Sequence, residues 1–449
     1  MRGAAITLSP ARGGVRRGDG APPGWAWPVA VLALCHGQAI ASFQILNILV
    51  DPIRASLHIS DTQYSLLQGL AVAIFSAALG IPAARWADRH GRRGVILAGA
   101  IGWSLATVAC AFVASFAQLF AARVAMGIGE VFLFPAAFAL IADLVPRARL
   151  STAIACFGAG GPIGGAAAMF GGGWIVAHVT GPVEGWRIAF FACGLTGLVS
   201  AALLLTVGER RPADDAPHLG FAGVLAYLGA RGRLYGPVAA AMIFLSICAF
   251  ASAAWVPTAF SRVYGMGSDG AGALTAAGSL AGGTGLVWAA GRLVDLLAAR
   301  GDRAGPASVG IGLCLLLAAL AGAAVLFLSG RAAVALWLCA YSLLGIPTVL
   351  GGTAFQMITA PRLRAQVMAV YLLLMNLLAL SLGPFLVAWL TDHLFHRPDR
   401  VAQSLAIVVA GAALAGAFCF LAVRRRFAAA AAEAAGIGGV DAIALPDTA

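Results

Sequence analysis

Lysine is absent from this 449-residue chain, and acids are scarce: all 29 basic residues are arginine, set against 18 Asp and Glu, and charged residues make up 10% of the total. So little charge excludes an ordinary soluble domain, where about 25% of residues are charged. Paired cysteines are missing too. The eight cysteines (35, 110, 156, 193, 248, 314, 339 and 419) all fall in apolar stretches and none forms a C-x-x-C pair. That argues against a thiol redox motif and leaves small buried hydrophobes. Metal-ligand spacing, a P-loop and a serine-nucleophile motif are likewise missing, so nothing points to an enzyme, a metal or a cofactor.

What the chain has instead is apolar length. Hydrophobic residues make up 61% and mean hydropathy is +0.91. Runs long enough to cross a bilayer, about 20 residues each, recur at 26–50, 64–84, 95–114, 118–142, 152–179, 186–207, 236–260, 271–291, 306–328, 332–359, 366–391 and 401–423. The expected fold is therefore an all-α integral membrane protein of twelve transmembrane helices. The Arg-bearing start resembles a signal peptide, but the first run is too long for an h-region and eleven more follow, so no cleavage is expected.

The net charge of +11 is distributed unevenly. If residues 1–25 begin in the cytoplasm, 22 arginines fall in cytoplasmic tails and loops. Six fall outside (Arg54, Arg187, Arg262, Arg331, Arg397, Arg400), and Arg123 lies within a span. By the positive-inside rule both termini are cytoplasmic, with the protein in a bacterial inner membrane. The basic balance then reports topology and contact with anionic lipid; arginines scattered one loop at a time do not make a nucleic-acid surface.

The chain divides into a Gly-, Pro- and Arg-rich tail (1–25, expected to be disordered), a first six-span bundle (26–207), a polar linker (208–235), a second six-span bundle (236–423) and an Ala-rich tail (424–449). Within the linker, Phe221 to Ala230 reads as a short helix lying on the membrane surface. Two landmarks repeat across the halves. Asp88 with Arg89, Arg92 and Arg93 ends the second span, and Asp295 with Arg300 and Arg303 ends the eighth; Pro146-Arg147-Ala148-Arg149 and Pro361-Arg362-Leu363-Arg364 form corresponding turns. Repeated modules with no extramembrane domain are the build of a secondary transporter. Stripes of small residues (Gly69, Ala73, Ser76, Gly80; Gly158, Gly161, Gly165, Ala168; Gly278, Gly282, Gly285, Ala289) mark close helix contacts, either as generic packing or as faces where the halves slide.

The segment Ala84 to Gly94 resembles the signature loop of the major facilitator superfamily, with Ala84 where a glycine usually stands. Arg123 to Glu130 resembles that superfamily's fourth-helix R-x-x-x-G-x-G motif, and Gly185-Trp186-Arg187 with Phe190 and Gly194 its sixth-helix opening. A narrower resemblance, to the spinster-like branch, rests on Ile59-Ser60-Asp61-Thr62-Gln63 with Leu66-Leu67-Gln68, and on Gly129-Glu130 with Pro135. That branch commonly carries an Asp-Arg pair in helix one; here Ser42 and Phe43 stand at those positions.

The resemblance implies pseudo-symmetric six-helix bundles working by alternating access. It also implies a cytoplasmic gate in which Asp88 meets the eleventh helix and Asp295 the fifth. Arg89, Arg92 and Arg93 would lock onto Asp143. Glu130 is the one carboxylate found inside a span, where a charge costs roughly 2.5–3.5 kcal/mol on the mildest scale. Desolvation favours its neutral form, which suits a proton-coupling site; an intrahelical pair with Arg123 and a direct substrate contact are the alternatives. His36, Gln38, Ser42, Gln44 and Asn47 make helix one the most polar span and are candidate cavity residues, although His36 serves equally as a helix-to-helix hydrogen bond. Trp255, Thr258, Gln356, Tyr371 and Asn376 complete the candidate cavity.

With few charges on that cavity, an amphipathic or mostly neutral small molecule fits better than a strongly anionic one. The favoured reading is proton-coupled export by a monomer whose partners are substrate, protons and membrane lipid. Import or uniport of a small organic solute, and a transport-dead sensor, are the alternatives.

Overall fold

The structure is a computed structural model that describes residues 24–72, 91–130, 133–146, 149–208, 221–326, 330–359 and 363–436. Among these residues, ten helices are long and apolar enough to cross a membrane, and Phe116–Gly129 is a shorter apolar one. The second expected span is described only to Val72. The fourth is described over Phe116–Glu130 and Leu133–Leu144, residues 131–132 lying outside the described residues.

In the first half of the chain, α1 (Ala26–Gln44) continues as a 3-10 turn over Ile45–Ile48 and bends into the short α2 (Val50–Leu57). Pro52, which has no N–H to give, falls where the α1 ladder would otherwise continue. α2 ends at His58 in the left-handed conformation, φ 52°. α3 (Asp61–Gln68) then opens with a capping box: Ser60 Oγ accepts from the Gln63 amide at 3.1 Å, and Gln63 Oε1 from the Ser60 amide at 3.0 Å. That box fixes the entry angle of α3 and leaves Asp61 and Thr62 at its positive end. There follow α4 (Arg92–Cys110), α5 (Phe116–Glu130), α6 (Leu133–Leu144), α7 (Leu150–His178) and α8 (Gly185–Leu204). Gly91, at φ 86°, turns the chain into α4, a conformation that a side chain resists.

The linker carries α9 (Phe221–Ala230), at the position expected from the sequence. α10 (Gly232–Arg262) starts earlier than the span expected at 236, and α11 (Ser268–Ala299) contains a π-helical stretch, Ala281–Leu286. α12 (Gly305–Leu326) and α13 (Arg331–Ile358) follow. α14 runs from Arg364–Leu374 through a π stretch at Met375–Leu380 to Ser381–Trp389, and ends in a second π stretch, Leu390–Phe395. α15 (Val401–Gly436) carries the last span on into the Ala-rich tail.

Helices pack mainly within their own half: α1 against α7 and α8, α4 against α5 and α8, and α10 and α12 against α15. Among the described residues, the halves meet chiefly along two seams, α7 with α11 and α3 with α14. Glycine makes both seams possible. A Cβ on Gly69 would strike the Leu380 carbonyl of α14; one on Gly173 would strike the Ser268 carbonyl of α11; one on Gly272 would strike the Met169 carbonyl of α7. With lipid tails as apolar as leucine, van der Waals contact of this closeness is what drives helices together.

The stripes picked out in the sequence mostly serve other contacts. Gly161 and Gly165 receive His36 and Gln44 of α1, and Gly278 and Gly282 receive Leu338 and Ser342 of α13. Those are contacts within a half. Of the cross-half positions, Gly69 belongs to a stripe, while Gly173, Gly272 and Gly283, the last meeting Pro162, lie outside the stripes. Ala73, Ser76 and Gly80 lie outside the described residues.

Candidate functional site

Among the described residues, the side-chain hydrogen bonds and ion pairs found between the halves lie at one end of the molecule. There the capping box presents Asp61, whose side chain is 0% exposed, to Arg262 at the end of α10. The guanidinium forks onto that carboxylate, Nη1 to Oδ2 at 2.7 Å and Nη2 to Oδ1 at 2.9 Å. Arg262 Nε also donates to Asp51 Oδ1 at 2.7 Å, and Arg54 Nε stands 2.9 Å from Asp61 Oδ1. Two carboxylates and two guanidiniums thus form a cluster of zero formal charge, which is what permits such burial. The indole of Trp255 lies under Arg262, 5.9 Å from its centre, and donates to the Pro384 carbonyl of α14 at 2.9 Å.

On the second seam, Asp392 Oδ2 accepts from both the Thr62 amide and the Thr62 hydroxyl, each at 2.7 Å. An α14 carboxylate thereby sits on the N-terminus of α3, where the helix dipole favours an anion. A cavity with about 40 Å³ of water-accessible space, lined by Asp51, Thr258, Ser261 and Ser268 among others, is tucked beside the cluster. This Asp61 end is sealed by polar bonds across the halves.

At the opposite end, Arg92 pairs with Asp143 and donates to the Ala139 carbonyl at 3.0 Å; Arg93 donates to the Val207 carbonyl at 2.9 Å. Asp295 is exposed, and no ion pair or hydrogen bond of its side chain occurs among the described residues. Asp88 and Arg89 lie outside the described residues. Close by, the Asp302 carboxyl is held below the usual carboxylate range, first by the Ser308 hydroxyl at 2.6 Å, then by the Ala304 amide and Arg424.

Between the ends sits Arg123, 0% exposed on α5. Its Nε donates to the Leu67 carbonyl at 3.2 Å and its Nη1 to the Ser42 carbonyl at 3.1 Å, with the Phe43 ring 5.6 Å from its centre. The guanidinium therefore ties α1, α3 and α5 at the place where the branch's Asp-Arg pair would stand. Glu130 closes α5, and its side chain lies outside the described residues.

The other candidates are placed as follows. His36 Nδ1 donates to the Phe157 carbonyl of α7 at 2.9 Å while its ring stacks on Phe157. Gln38 donates to the Cys193 carbonyl of α8 at 2.5 Å, and Ser42 Oγ lies 3.8 Å from the Cys193 sulfur. Asn47 accepts from Gln68 at 3.1 Å, and Tyr371 stacks on Phe355. These side chains hold helices together within a half. Thr258 lines the small cavity, Gln44 and Asn376 are half-buried, and Gln356 is exposed.

Sequence reasoning gave no role to Asp51, Asp61 or Asp392, and it counted Arg54 and Arg262 only as arginines outside. The signal that would have found them is charge beside a span end on the side poor in charge, acids from one half and arginine from the other.

Comparison with known proteins places this geometry. The model of the Major Facilitator Superfamily matches residues 32–359. An MFS-type efflux pump of Mycolicibacterium smegmatis is 31% identical over 424 residues, covering 90% of this chain and 94% of that protein. Among solved structures, a bacterial homologue of the human lysosomal transporter Spinster, inward-facing and unoccupied, superposes with a TM-score of 0.73 at 25% identity, covering 93% of this chain and 98% of that one. A D-xylose–proton symporter shares the fold, with a TM-score of 0.64 at 16% identity over 87% of this chain and 97% of that one.

Proposed function

For a chain that belongs to the Major Facilitator Superfamily of transporters, we propose a secondary transporter of twelve spans in two six-helix bundles, 26–207 and 236–423, joined by the linker 208–235. It exports an amphipathic or mostly neutral organic molecule across the inner membrane by alternating access, driven by protons. The observation that carries this reading is the polar latch between the halves at the Asp61 end, where Arg262 meets Asp61 and Asp392 meets Thr62. A latch of that kind, joining two bundles at one end, is what an alternating-access cycle makes and breaks. The arginine bias puts the Asp61 end outside the cytoplasm, so the latch is read as the closed outer gate. The efflux pump of M. smegmatis supports the outward direction.

In the opposite state Asp88 and Arg89 join Arg92, Arg93, Asp143 and Asp295 in closing the cytoplasmic gate, and the Asp61 cluster opens to water. Glu130 carries the proton, and Arg123 fixes the helices around it. His36, Gln38, Ser42, Gln44, Asn47, Trp255, Thr258, Gln356, Tyr371 and Asn376 border the path that opens between the halves, and its low charge sets the substrate class.

The test is flux in proteoliposomes, using ligands found by a thermal-shift screen of amphipathic molecules at two pH values. Wild-type flux collapses when the pH gradient is dissipated. Glu130→Gln abolishes gradient-driven flux and keeps normal expression and ligand binding. Unchanged transport by that variant would remove the proton role, and flux indifferent to any gradient would make the protein a uniporter.

A further inference from the structure

The offset that carries Pro146 onto Pro361 and Arg149 onto Arg364 also carries Trp174 onto Trp389 and His178 onto His393. The two doublets have the same geometry. Trp174 and His178 stack with centroids 5.2 Å apart and planes 16° apart; Trp389 and His393 stack at 5.5 Å and 16°. In each, the imidazole Nδ1 bonds the carbonyl of the tryptophan one turn earlier, at 3.1 Å and 3.2 Å. Both doublets are exposed, Trp174 at 49% and Trp389 at 44%, and both stand at the Asp61 end of a membrane-spanning helix.

Their positions relative to the seams match as well. Trp174 follows Gly173, which abuts Ser268 of α11; His393 follows Asp392, which receives Thr62 of α3. One doublet thus flanks each seam at its sealed end, at the depth where a spanning helix leaves hydrocarbon for the head-group layer.

The hydrogen-bond pattern defines what the doublets take. A carbonyl oxygen only accepts, so Nδ1 carries a proton, and in that tautomer Nε2, on the far side of the ring, is an acceptor. One face of each indole is covered by the imidazole, and the indoles are close to half exposed, which leaves ring surface for a cation. An acceptor beside an aromatic face suits a primary ammonium: N–H donates to Nε2 while the charge rests on the ring. A quaternary ammonium has the charge without the N–H, and an anionic glycerol head group has no ammonium.

We propose that Trp174–His178 and Trp389–His393 are two equivalent seats for the ammonium of ethanolamine-type phospholipids, one beside each seam. The partner is a membrane lipid, and the inference holds whatever the direction of transport or the coupling ion.

The test uses the full chain reconstituted in vesicles of equal parts phosphatidylethanolamine, phosphatidylcholine and phosphatidylglycerol, then released gently and weighed with its retained lipids by native mass spectrometry. Wild-type protein keeps the ethanolamine lipid over the choline lipid by about threefold to tenfold, the range for a partly exposed cation–aromatic contact with one added hydrogen bond. His178→Ala and His393→Ala each remove about half of that excess, since each seat holds one lipid. The double variant retains the two lipids equally. Both histidines are exposed, so their truncation leaves the helix contacts in place, which circular dichroism and monodispersity verify. Trp174→Leu with Trp389→Leu, a second variant without the aromatic face, loses the excess as well. Equal retention of all three lipids by wild type, a preference for the glycerol lipid, or an excess that survives in the double histidine variant would each overturn the proposal.

Discussion

Replacing Arg262 by Gln tests the latch most directly, because this one side chain makes the ion pairs found between the halves among the described residues. Its guanidinium is 9% exposed and forks onto Asp61, which is 0% exposed, while its other partner, Asp51, is 43% exposed. Breaking a buried ion pair by removing one member costs about 3–5 kcal/mol, since the remaining charge is left uncompensated. The Asp51 contact, screened by water, adds at most about 1 kcal/mol. Arg54 still neutralises part of the Asp61 charge, which places the total near the lower bound, about 3 kcal/mol. That penalty applies only to the state in which the halves meet at this end; when they part, both groups are solvated. The substitution therefore shifts the population ratio of the two states by about a hundredfold, at 1.4 kcal/mol per factor of ten, toward an open Asp61 end.

Spin labels at Val183 and Arg397, exposed positions on opposite halves at this end, read the shift as a distance distribution in pulsed electron–electron resonance. The native cysteines are first replaced. A longer distance dominates in Arg262→Gln, and the double variant Arg262→Gln/Asp61→Asn recovers part of the shorter one, because no lone buried charge is left. A distribution identical to wild type in the single variant would refute the idea that this cluster holds the end shut.

Two further outcomes follow from the packing and the electrostatics. Gly69→Val places methyl groups where the Leu380 carbonyl stands, so it forces the α3–α14 seam apart and lowers flux severalfold while surface expression stays normal; unchanged flux would mean that the seam is not a working contact. Asp302, held below the usual carboxylate range chiefly by Ser308, contributes stability that is fully present above about pH 5 and is lost as pH falls through its lowered value. Thermal melting of wild type and Asp302→Asn should therefore differ at neutral pH and converge in acid, and a constant difference down to pH ~3 would contradict the assignment.

Much of the helical architecture was legible from residue order, for a reason rooted in the solvent. In hydrocarbon every backbone amide must be satisfied within its own segment, so an apolar run of sufficient length has no alternative to helix. This is why the expected run 186–207 returns as Gly185–Leu204 and 306–328 as Gly305–Leu326. Local chemistry was equally readable in part: a short helix spans Phe221–Ala230, where one was expected in the linker, and Arg92 and Arg93 open α4 after Gly91. The candidate site was less legible. His36, Gln38 and Asn47 stand out as polar residues in an apolar span, but polarity does not distinguish a cavity wall from a bond between helices. Here His36 bonds to Phe157, Gln38 to Cys193 and Asn47 to Gln68.

Length and hydropathy were enough to make this a multi-span helical protein, and the arginine bias to set an expected orientation, because those properties are sums along the chain and need no knowledge of neighbours. Which small residue faces which helix, and which carboxylate meets which guanidinium, are pairwise matters. A stripe repeating every four residues guarantees a close approach without naming the helix that approaches, so Gly161 turned out to serve α1 while Gly173 serves α11. Likewise Asp61 and Arg262 are some two hundred residues apart and become partners only when a capping box at Ser60 and the end of α10 arrive at the same end of the bundle. Charge pairing across such a separation is decided by where helices end in space, and that is a property of the packed molecule.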